Sequence, residues 1–308
     1  IMAVGILAGY KKHTSSGQFF LAGRSLRWPI IGTGLFCANI STIHLVGLAS
    51  SGSKDGLVIG NFEWMAAFCL ILLGIVFAPF YFRNRIRTLP EFVEKRYSTG
   101  ARTFLAVIVV RSALLVHIGI SLYAGAKVLE EFFGIDYVVS IIGISVITAI
   151  YTIIGGLKAV MITDAIQAVL LLLGAAILTV AGIQALPSVG VESWADFKAA
   201  CRPDQLSMVQ PIMDADAPGR LGLREFSWYS ILFGYPILGI WYWCTDQTIV
   251  QKILAAKTEK DGRNGAIFAG FLKILPVFLM VLPGVIGFVL FQEKIGDDND
   301  ATLMVMMK

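Results

Sequence analysis

Charged side chains are scarce in this chain of 308 residues, where Asp, Glu, Lys and Arg together make up 15%. Soluble globular domains carry about 25% of these residues. Apolar residues reach 56%, and the mean hydropathy is +0.75. This composition excludes an ordinary soluble domain and indicates a protein with several membrane spans.

Cysteine is also rare, with four copies. Cys37, Cys69 and Cys244 lie in or beside apolar runs and show no metal-ligand spacing. Only Cys201 is predicted to be exposed on the outer side, so we expect no intrachain disulfide there. Paired aspartates in facing spans are absent from the sequence as well, and an intramembrane enzyme is therefore not predicted.

Seven apolar runs are long enough to cross a bilayer core of about 30 Å, which takes about 20 helical residues. They cover residues 28–49, 60–82, 103–126, 137–154, 159–185, 227–253 and 265–291. An eighth run, residues 1–10, has half that length and lacks both a basic leader and a cleavage site. It predicts the end of a preceding helix rather than a signal peptide. With the polar residues at the other end, this predicts a fragment truncated at both ends.

Basic residues are unequally shared between alternate loops. One set of loops holds fifteen Lys and Arg residues and the other holds eight. The basic-rich set is predicted to be cytoplasmic, so the net charge of +4 reflects orientation and not a nucleic-acid partner. Within that set, residues 83–102 predict a short interfacial helix. On the outer side, residues 186–226 predict a long loop with one amphipathic helix around SWADFKAA.

Two spans contain residues that interrupt a helix. In the first, Asn39 and His44 stand mid-membrane, where polar side chains compete with the helix backbone. In residues 227–253, the break is expected midway, at Gly234, Pro236 and Gly239. Two interrupted spans separated by four continuous ones predict an inverted-repeat transporter with its binding site at the breaks. The alternative is that glycine and proline only permit close helix packing.

Ionisable residues within spans need a partner or a task, because each costs about 2.5–3.5 kcal/mol on insertion. Glu63 and Lys273 each lie on the span that follows an interrupted one, so both are predicted to face one midplane cavity. A carboxylate accepts hydrogen bonds and an ammonium donates them, which suits a ligand rich in neutral hydroxyls. Asn39 and His44 would add an amide and an imidazole to this cavity.

Two further features each have two interpretations. Asp164 lies near the cytoplasmic end of its span and would either reach toward water or coordinate a cation. The aromatic residues Trp241, Tyr242 and Trp243 supply flat faces for a sugar ring. They would equally suit an interfacial aromatic belt.

Seven segments resemble the sodium/solute symporter family, and within it the sodium-glucose cotransporter branch. They extend over nearly the whole chain in family order. They are FFLAGRS (19–25), ANISTIHLVGLA (38–49), FEW (62–64), TLPEFVEKRY (88–97), YTIIGGLKAVMITDAIQ (151–167), WYWCTDQTIVQKILAAK (241–257) and GFLKILPVF (270–278).

The resemblance implies an all-α polytopic membrane protein with a LeuT-like core of two inverted five-helix repeats. Residues 1–10 would end a preceding helix, and residues 28–185 would form the first repeat. An extracellular loop would occupy 186–226, the first two helices of the second repeat 227–291, and the start of another extracellular loop 292–308.

The resemblance also implies roles for individual residues. Contacts to sugar hydroxyls would come from Asn39, His44, Glu63 and Lys273. Tyr242 would be the inner gate and Trp243 the pocket floor. The backbone carbonyls of Cys37 and Ile40 would bind sodium, and Asp164 would take part in cation coupling. The chain departs from the family pattern at Gly239 and Ala66, and further family ligands would fall beyond Lys308.

The function implied is sodium-driven uptake of a sugar such as glucose or galactose by alternating access in the plasma membrane. The partners would be a small sugar or polyol, sodium as the coupling ion and the bilayer, with no other cofactor, no nucleic acid and no enzyme activity. Two alternatives stay open. One is sodium-coupled transport of myo-inositol, another polyol or an organic solute, and the other is a sensor that binds sugar without transporting it.

Overall fold

The computed structural model describes residues 2–9, 15–40, 42–212, 226–296 and 298–307. Apart from one isolated bridge between Leu26 and Ala256, the regular elements in these ranges are helical. The predicted all-α class is therefore confirmed. Positions 1, 10–14, 41, 213–225, 297 and 308 lie outside the described residues, so the predictions for residues 1–10, 28–185, 186–226 and 292–308 can be compared only in part.

The helices fall in this order along the first half of the chain: α1 (Met2–Gly9), α2 (Ser16–Phe20), α3 (Trp28–Asn39), α4 (Thr42–Lys54), α5 (Gly60–Leu72), α6 (Ala78–Arg83), α7 (Leu89–Arg96), α8 (Thr99–Arg111) and α9 (Gly119–Phe133). The second half contains α10 (Tyr137–Ala185), α11 (Trp194–Ala200), α12 (Tyr235–Thr245), α13 (Gln247–Leu254), α14 (Glu259–Leu272), α15 (Leu282–Ile295) and α16 (Thr302–Met307). Short π-helical turns join α5 to α6, join α8 to α9, and precede α12 and α15.

The chain forms two compact units, each assembled from three segments. Unit 1 comprises Ile1–Ile43, Leu70–Ala168 and Tyr242–Ala269. Unit 2 comprises His44–Cys69, Val169–Trp241 and Gly270–Lys308. Each unit thus draws on helices from distant parts of the sequence, and each is described below by itself.

Four helices in the described residues are long and apolar enough to cross a membrane: Leu57–Arg83, Thr99–Phe133, Tyr137–Val189 and Glu259–Ile295. A fifth is counted if α3 and α4 together form one span. The 49 residues of α10 would extend about 74 Å as a straight helix, more than twice the bilayer core. Gly156 interrupts α10 with a φ of 58° and a ψ of −163°, which separates the predicted runs 137–154 and 159–185.

The first predicted break is present and the second was misplaced. Helix α3 ends at Asn39, and Ile40 has extended backbone angles. In contrast, the chain is helical across Gly234, Pro236 and Gly239, and the break lies further on at Asp246 (φ −76°, ψ 135°).

The helix tolerates Pro236 because the π-helical turn Ser230–Gly234 precedes it. The wider hydrogen-bond spacing of such a turn accommodates a residue without an N–H group. Gly239 serves close packing, since a Cβ there would lie 2.7 Å from the Cys69 Sγ. At these residues the structure supports the alternative interpretation, in which glycine and proline only permit close helix packing.

The polar segments contain the two short helices that the sequence predicts. The Thr88 hydroxyl caps α7, and Ser193 and Asp196 form a capping box at α11. The predicted exposure of Cys201 is wrong, because Cys201 packs against Leu186, Phe197 and neighbouring apolar residues of unit 2. Burial raises the pKa of the Cys201 thiol to about 11, so it stays protonated at neutral pH.

Two glycines bring α4 close to the start of α15 within unit 2. A Cβ on Gly52 would meet the Val281 carbonyl, and a Cβ on Gly284 would meet the backbone of Ala49. The neighbouring atoms belong to the main chain, so no side-chain rotation can make room. Small residues of this kind allow helix backbones to approach closely in membranes.

We therefore expect Gly284→Ala to lower the thermal unfolding temperature of the purified protein, with a cost of about 1–3 kcal/mol from overpacking. The control is Gly174→Ala in α10, where a Cβ would meet nothing within 4 Å. Alanine favours a helix over glycine by about 1 kcal/mol, so the control should melt at or above the wild-type temperature. Equal melting of both variants would contradict the close approach.

Candidate functional site

The two ionisable residues that the sequence pairs are in direct contact within unit 2. The Lys273 Nζ lies 2.6 Å from the Glu63 Oε2, and the side chains are 0% and 6% exposed. Glu63 is in the first turn of α5. Lys273 lies in a turn directly after α14, three residues before Pro276. Because proline has no N–H group, Pro276 cannot donate the helical hydrogen bond to the Leu272 carbonyl. The helix is therefore interrupted at the turn that contains Lys273.

Unit 2 also contains buried nitrogens that have no hydrogen-bond partner among the described residues. They are the Nδ1 of His44 and the Nε1 of Trp64. The charges of Lys273 and Glu63 both act on the His44 ring. A buried polar group without a partner costs about 1–3 kcal/mol, so both nitrogens suit a ligand that supplies hydroxyls.

Sequence reasoning predicted a role for His44 and missed one for Trp64. The sequence feature that could have identified Trp64 is its position directly after Glu63 in the FEW segment.

Asn39 and Tyr242 are joined within unit 1. The Asn39 Nδ2 donates to the Tyr242 hydroxyl over 3.4 Å, and the Tyr242 ring meets the Trp243 ring edge-on at 5.0 Å. Asn39 is the last residue of α3, and Tyr242 lies in the last turns of α12. Each residue therefore stands just before one of the two breaks. Trp241 and Trp243, like Tyr242, precede the second break, which is at Asp246.

The aromatic residues do not behave as one interfacial belt. Trp241 is 54% exposed, whereas Trp243 is 2% exposed and is one of the largest fully buried side chains. A buried tryptophan belongs to the packed interior of its unit. Trp243 is therefore a core residue of unit 1, and its contact with a sugar stays a prediction.

The backbone at the first break suits the predicted carbonyl ligands. Ile40 is 3% exposed and has extended angles of φ −88° and ψ 101°, which turn its carbonyl away from the helical direction. Cys37 is half-buried one turn earlier. The described residues hold no cluster of three or more His, Cys, Asp or Glu that could bind a metal ion. Sodium binding by Cys37 and Ile40 stays a prediction.

Asp164 is paired with a residue that sequence reasoning counted among the loop charges. The Lys252 Nζ lies 2.6 Å from the Asp164 Oδ2, and the side chains are 9% and 14% exposed. The same ammonium donates to the Gly34 carbonyl of α3 over 3.1 Å. Asp164 is therefore paired within unit 1 and only 14% exposed, which disfavours the interpretation in which it reaches toward water. The cation beside its carboxylate is a lysine, and a role of Asp164 in sodium coupling stays a prediction.

Comparisons with known proteins identify relatives of this chain. A family model described as the Sodium:solute symporter family matches residues 19–305. The Sodium/glucose cotransporter 1 of Ovis aries is 38% identical over 315 residues, covering 96% of this chain and 46% of the relative. The Sodium/myo-inositol cotransporter 2 of Homo sapiens is 36% identical over 303 residues, covering 96% and 44%. The chain thus spans about half the length of these relatives.

A solved structure shares the fold. It is described as the substrate-bound outward-open state of a Na+-coupled sialic acid symporter, and its TM-score with this chain is 0.80 at 21% identity. The match covers 100% of this chain and 64% of that chain. This likeness confirms the expected LeuT-like architecture.

The contact between Lys252 and Asp164 predicts strong energetic coupling. Lys252→Met leaves a buried carboxylate without its partner and should destabilise the protein by about 3–5 kcal/mol. Adding Asp164→Asn should recover most of that loss, because no buried charge then remains. Thermal unfolding of both single variants and the double variant measures the coupling.

The control for this cycle is Lys257→Met, which removes an exposed lysine from the same segment and should leave the melting temperature unchanged. Simple additivity of the Lys252 and Asp164 variants would show that the pair is not coupled.

Proposed function

This chain belongs to the sodium:solute symporter family, and we propose on that basis that the protein couples sodium influx to the uptake of a neutral polyhydroxy solute. The solute class that we favour is a sugar resembling glucose or galactose, carried by alternating access across the plasma membrane. Two observations support the proposal: the chain has several helices long and apolar enough to span a membrane, and its relatives are named as sodium cotransporters. Transport of this kind makes and breaks no covalent bond.

The observation that carries the proposal is the buried contact between Glu63 and Lys273. Two paired opposite charges have no net charge, so an anionic solute would find no uncompensated cation there. A sugar hydroxyl both donates and accepts hydrogen bonds. It can therefore bind the carboxylate and the ammonium without changing the charge buried in the membrane.

Further residues suit the same solute class. In unit 2, the unpartnered nitrogens of His44 and Trp64 can each bind a hydroxyl. In unit 1, the Asn39 amide donates to the Tyr242 hydroxyl, and the Trp243 ring packs edge-on against the Tyr242 ring. We propose that His44, Glu63 and Lys273 of unit 2 bind solute hydroxyls. For unit 1, we propose that Asn39 binds a hydroxyl and that Tyr242 and Trp243 contact the apolar face of a sugar ring.

Sodium is the proposed coupling ion, with the carbonyls of Cys37 and Ile40 as ligands at the first break and Asp164 nearby as a coupling residue. One charge moving inward across about 100 mV supplies ~2.3 kcal/mol. A tenfold sodium gradient adds ~1.4 kcal/mol. Together these terms would sustain a solute gradient of several hundredfold for one sodium ion.

Transport of myo-inositol is the second candidate. The myo-inositol cotransporters among the relatives are nearly as similar to this chain as the glucose cotransporters, at 34–36% against 36–38% identity. Inositol is also a neutral ring with several hydroxyls, so the Glu63–Lys273 pair does not discriminate against it. Competition of labelled glucose uptake by excess inositol, in proteoliposomes with an imposed sodium gradient, separates the two solutes.

Glu63→Gln should reduce sodium-driven sugar uptake by roughly tenfold or more, because a neutral amide replaces a charged hydrogen-bond acceptor. Proteoliposomes containing the full-length protein provide the measurement. The matched control is Glu192→Gln, which neutralises an exposed glutamate and should transport normally.

Because Glu63→Gln leaves Lys273 buried without its charge partner, the double variant Glu63→Gln and Lys273→Met tests stability separately. It should melt close to the wild type, since neutral replacement of a buried pair is often tolerated, and still fail to transport. Recovery of uptake in the double variant would assign the pair a purely structural role.

Tyr242 should act mainly through its ring. Tyr242→Phe keeps the ring and removes the hydroxyl with its 3.4 Å contact to Asn39, and it should lower uptake by about two- to fivefold. Tyr242→Ala removes the ring and should lower uptake by roughly a hundredfold. The reverse order, measured in the same uptake assay, would indicate that the hydroxyl is the essential group.

A further inference from the structure

A cavity of about 1190 Å³ lies within unit 1, and none of its lining residues is among the proposed solute or sodium contacts. Its walls come from α2 and the turn that follows, from residues 85–88, and from one side of α7. Arg102 of α8 and two glutamines of α13 complete the lining. These loops belong to the set that the charge distribution predicts to be cytoplasmic.

The cavity carries an excess of positive charge. Five basic side chains and two acidic ones line it. Both acids are already paired, since Lys95 lies 2.8 Å from Glu91 and Arg102 lies 2.8 Å from Glu94. The three remaining guanidinium groups are those of Arg24, Arg85 and Arg87.

Glu91 stays ionised beside these arginines. Partial burial favours its protonated form, but hydrogen bonds from the Lys95 side chain and the Arg87 N–H, with the charges of both residues, hold the pKa of Glu91 below its usual value. The Glu91 carboxylate therefore offsets the charge of Lys95 and part of that of Arg87, and the cavity lining keeps a net positive charge.

The walls are fastened to a buried helix. Gln247 of α13 accepts from the Leu89 N–H over 2.7 Å, and Gln251, one turn later, donates to the Phe20 carbonyl over 2.8 Å. The Arg24 side chain also donates to the Ile86 carbonyl over 3.3 Å. A cavity whose opposite walls are tied to one helix is preorganised for a ligand.

Unfavourable backbone angles are concentrated here. Among the described residues, the non-glycine residues with positive φ are Ala22, Arg24 and Arg85, at 50°, 50° and 51°. Both arginines line the cavity, and Ala22 is two residues from Arg24. Left-handed angles are unfavourable for residues with a Cβ, and such strain clusters at ligand sites.

We propose that this cavity binds an anion carrying two or more phosphate groups, as in a phosphoinositide head group or a free inositol phosphate. Guanidinium groups bind phosphate oxygens in pairs of hydrogen bonds, and three of them suit more than one phosphate. Ser15, Ser16 and Thr88 add hydroxyl donors to the lining. The cytoplasmic leaflet is rich in anionic lipids, so a head group would be at hand. The site is separate from the proposed solute contacts.

Binding to the detergent-purified protein tests the proposal with three probes: dioctanoyl phosphatidylinositol 4,5-bisphosphate, inositol 1,4,5-trisphosphate and dioctanoyl phosphatidylcholine. The first should bind saturably and the third should not. Equal binding of the trisphosphate identifies a soluble ligand as sufficient, while binding of the lipid alone identifies the head group in its membrane setting. Failure of both phosphorylated probes to bind above phosphatidylcholine would overturn the proposal.

The double variant Arg85→Gly and Arg87→Gln removes two cavity charges. It should weaken binding about 25-fold, or roughly fivefold for each charge. Glycine suits the left-handed angles at position 85, so Arg85→Gly alone should melt at or above the wild-type temperature. The control Lys257→Gln and Lys260→Gln removes two exposed charges outside the cavity. Equal weakening by the control would overturn the site, because the binding would then depend only on net charge.

Discussion

A helix that breaks inside a membrane must find partners for the backbone groups that it frees, because lipid offers none. In the described structure, the helical backbone is interrupted at Ile40, at Asp246 and at the turn that contains Lys273. Near the first break, the Lys252 ammonium binds the Gly34 carbonyl close to the negative end of α3. The breaks are thus sites where charged side chains and loosened backbone meet, and the residues proposed for binding lie beside them.

Both buried ion pairs follow from the same low-dielectric environment. Glu63 with Lys273, and Asp164 with Lys252, each place opposite charges 2.6 Å apart. Apolar residues of similar volume often give equal or greater stability than a buried pair. Stability alone therefore does not explain these pairs. A neutral solute can form hydrogen bonds with such a pair. Sodium carries a positive charge and instead needs carbonyl oxygens and the negative end of a helix dipole.

Local features of the fold could be predicted from the sequence, as could the contact between Glu63 and Lys273 from their equivalent places in the two repeats. Other long-range contacts could not. Asn39 marked the first break because its side chain competes with the backbone. The Gly and Pro residues at 234–239 led to a wrong position for the second break, because a π-helical turn lets the helix continue through Pro236. Asp246, whose carboxylate accepts from the Thr248 N–H as a helix cap, was a readable signal for the second break. The pairing of Lys252 with Asp164 joins residues 88 positions apart, and no local pattern reveals it.

Helix α13 connects two of these features within unit 1. Its Lys252 binds Asp164 and Gly34, while its glutamines bind the backbone of the walls of the basic cavity. A ligand shifts a conformational equilibrium only by its differential affinity for the two states. An anion in the cavity would therefore influence sodium coupling only if α13 moves relative to the cavity walls during transport. If α13 and the walls move together, the anion binds every state equally and leaves the transport rate unchanged, however tightly it binds.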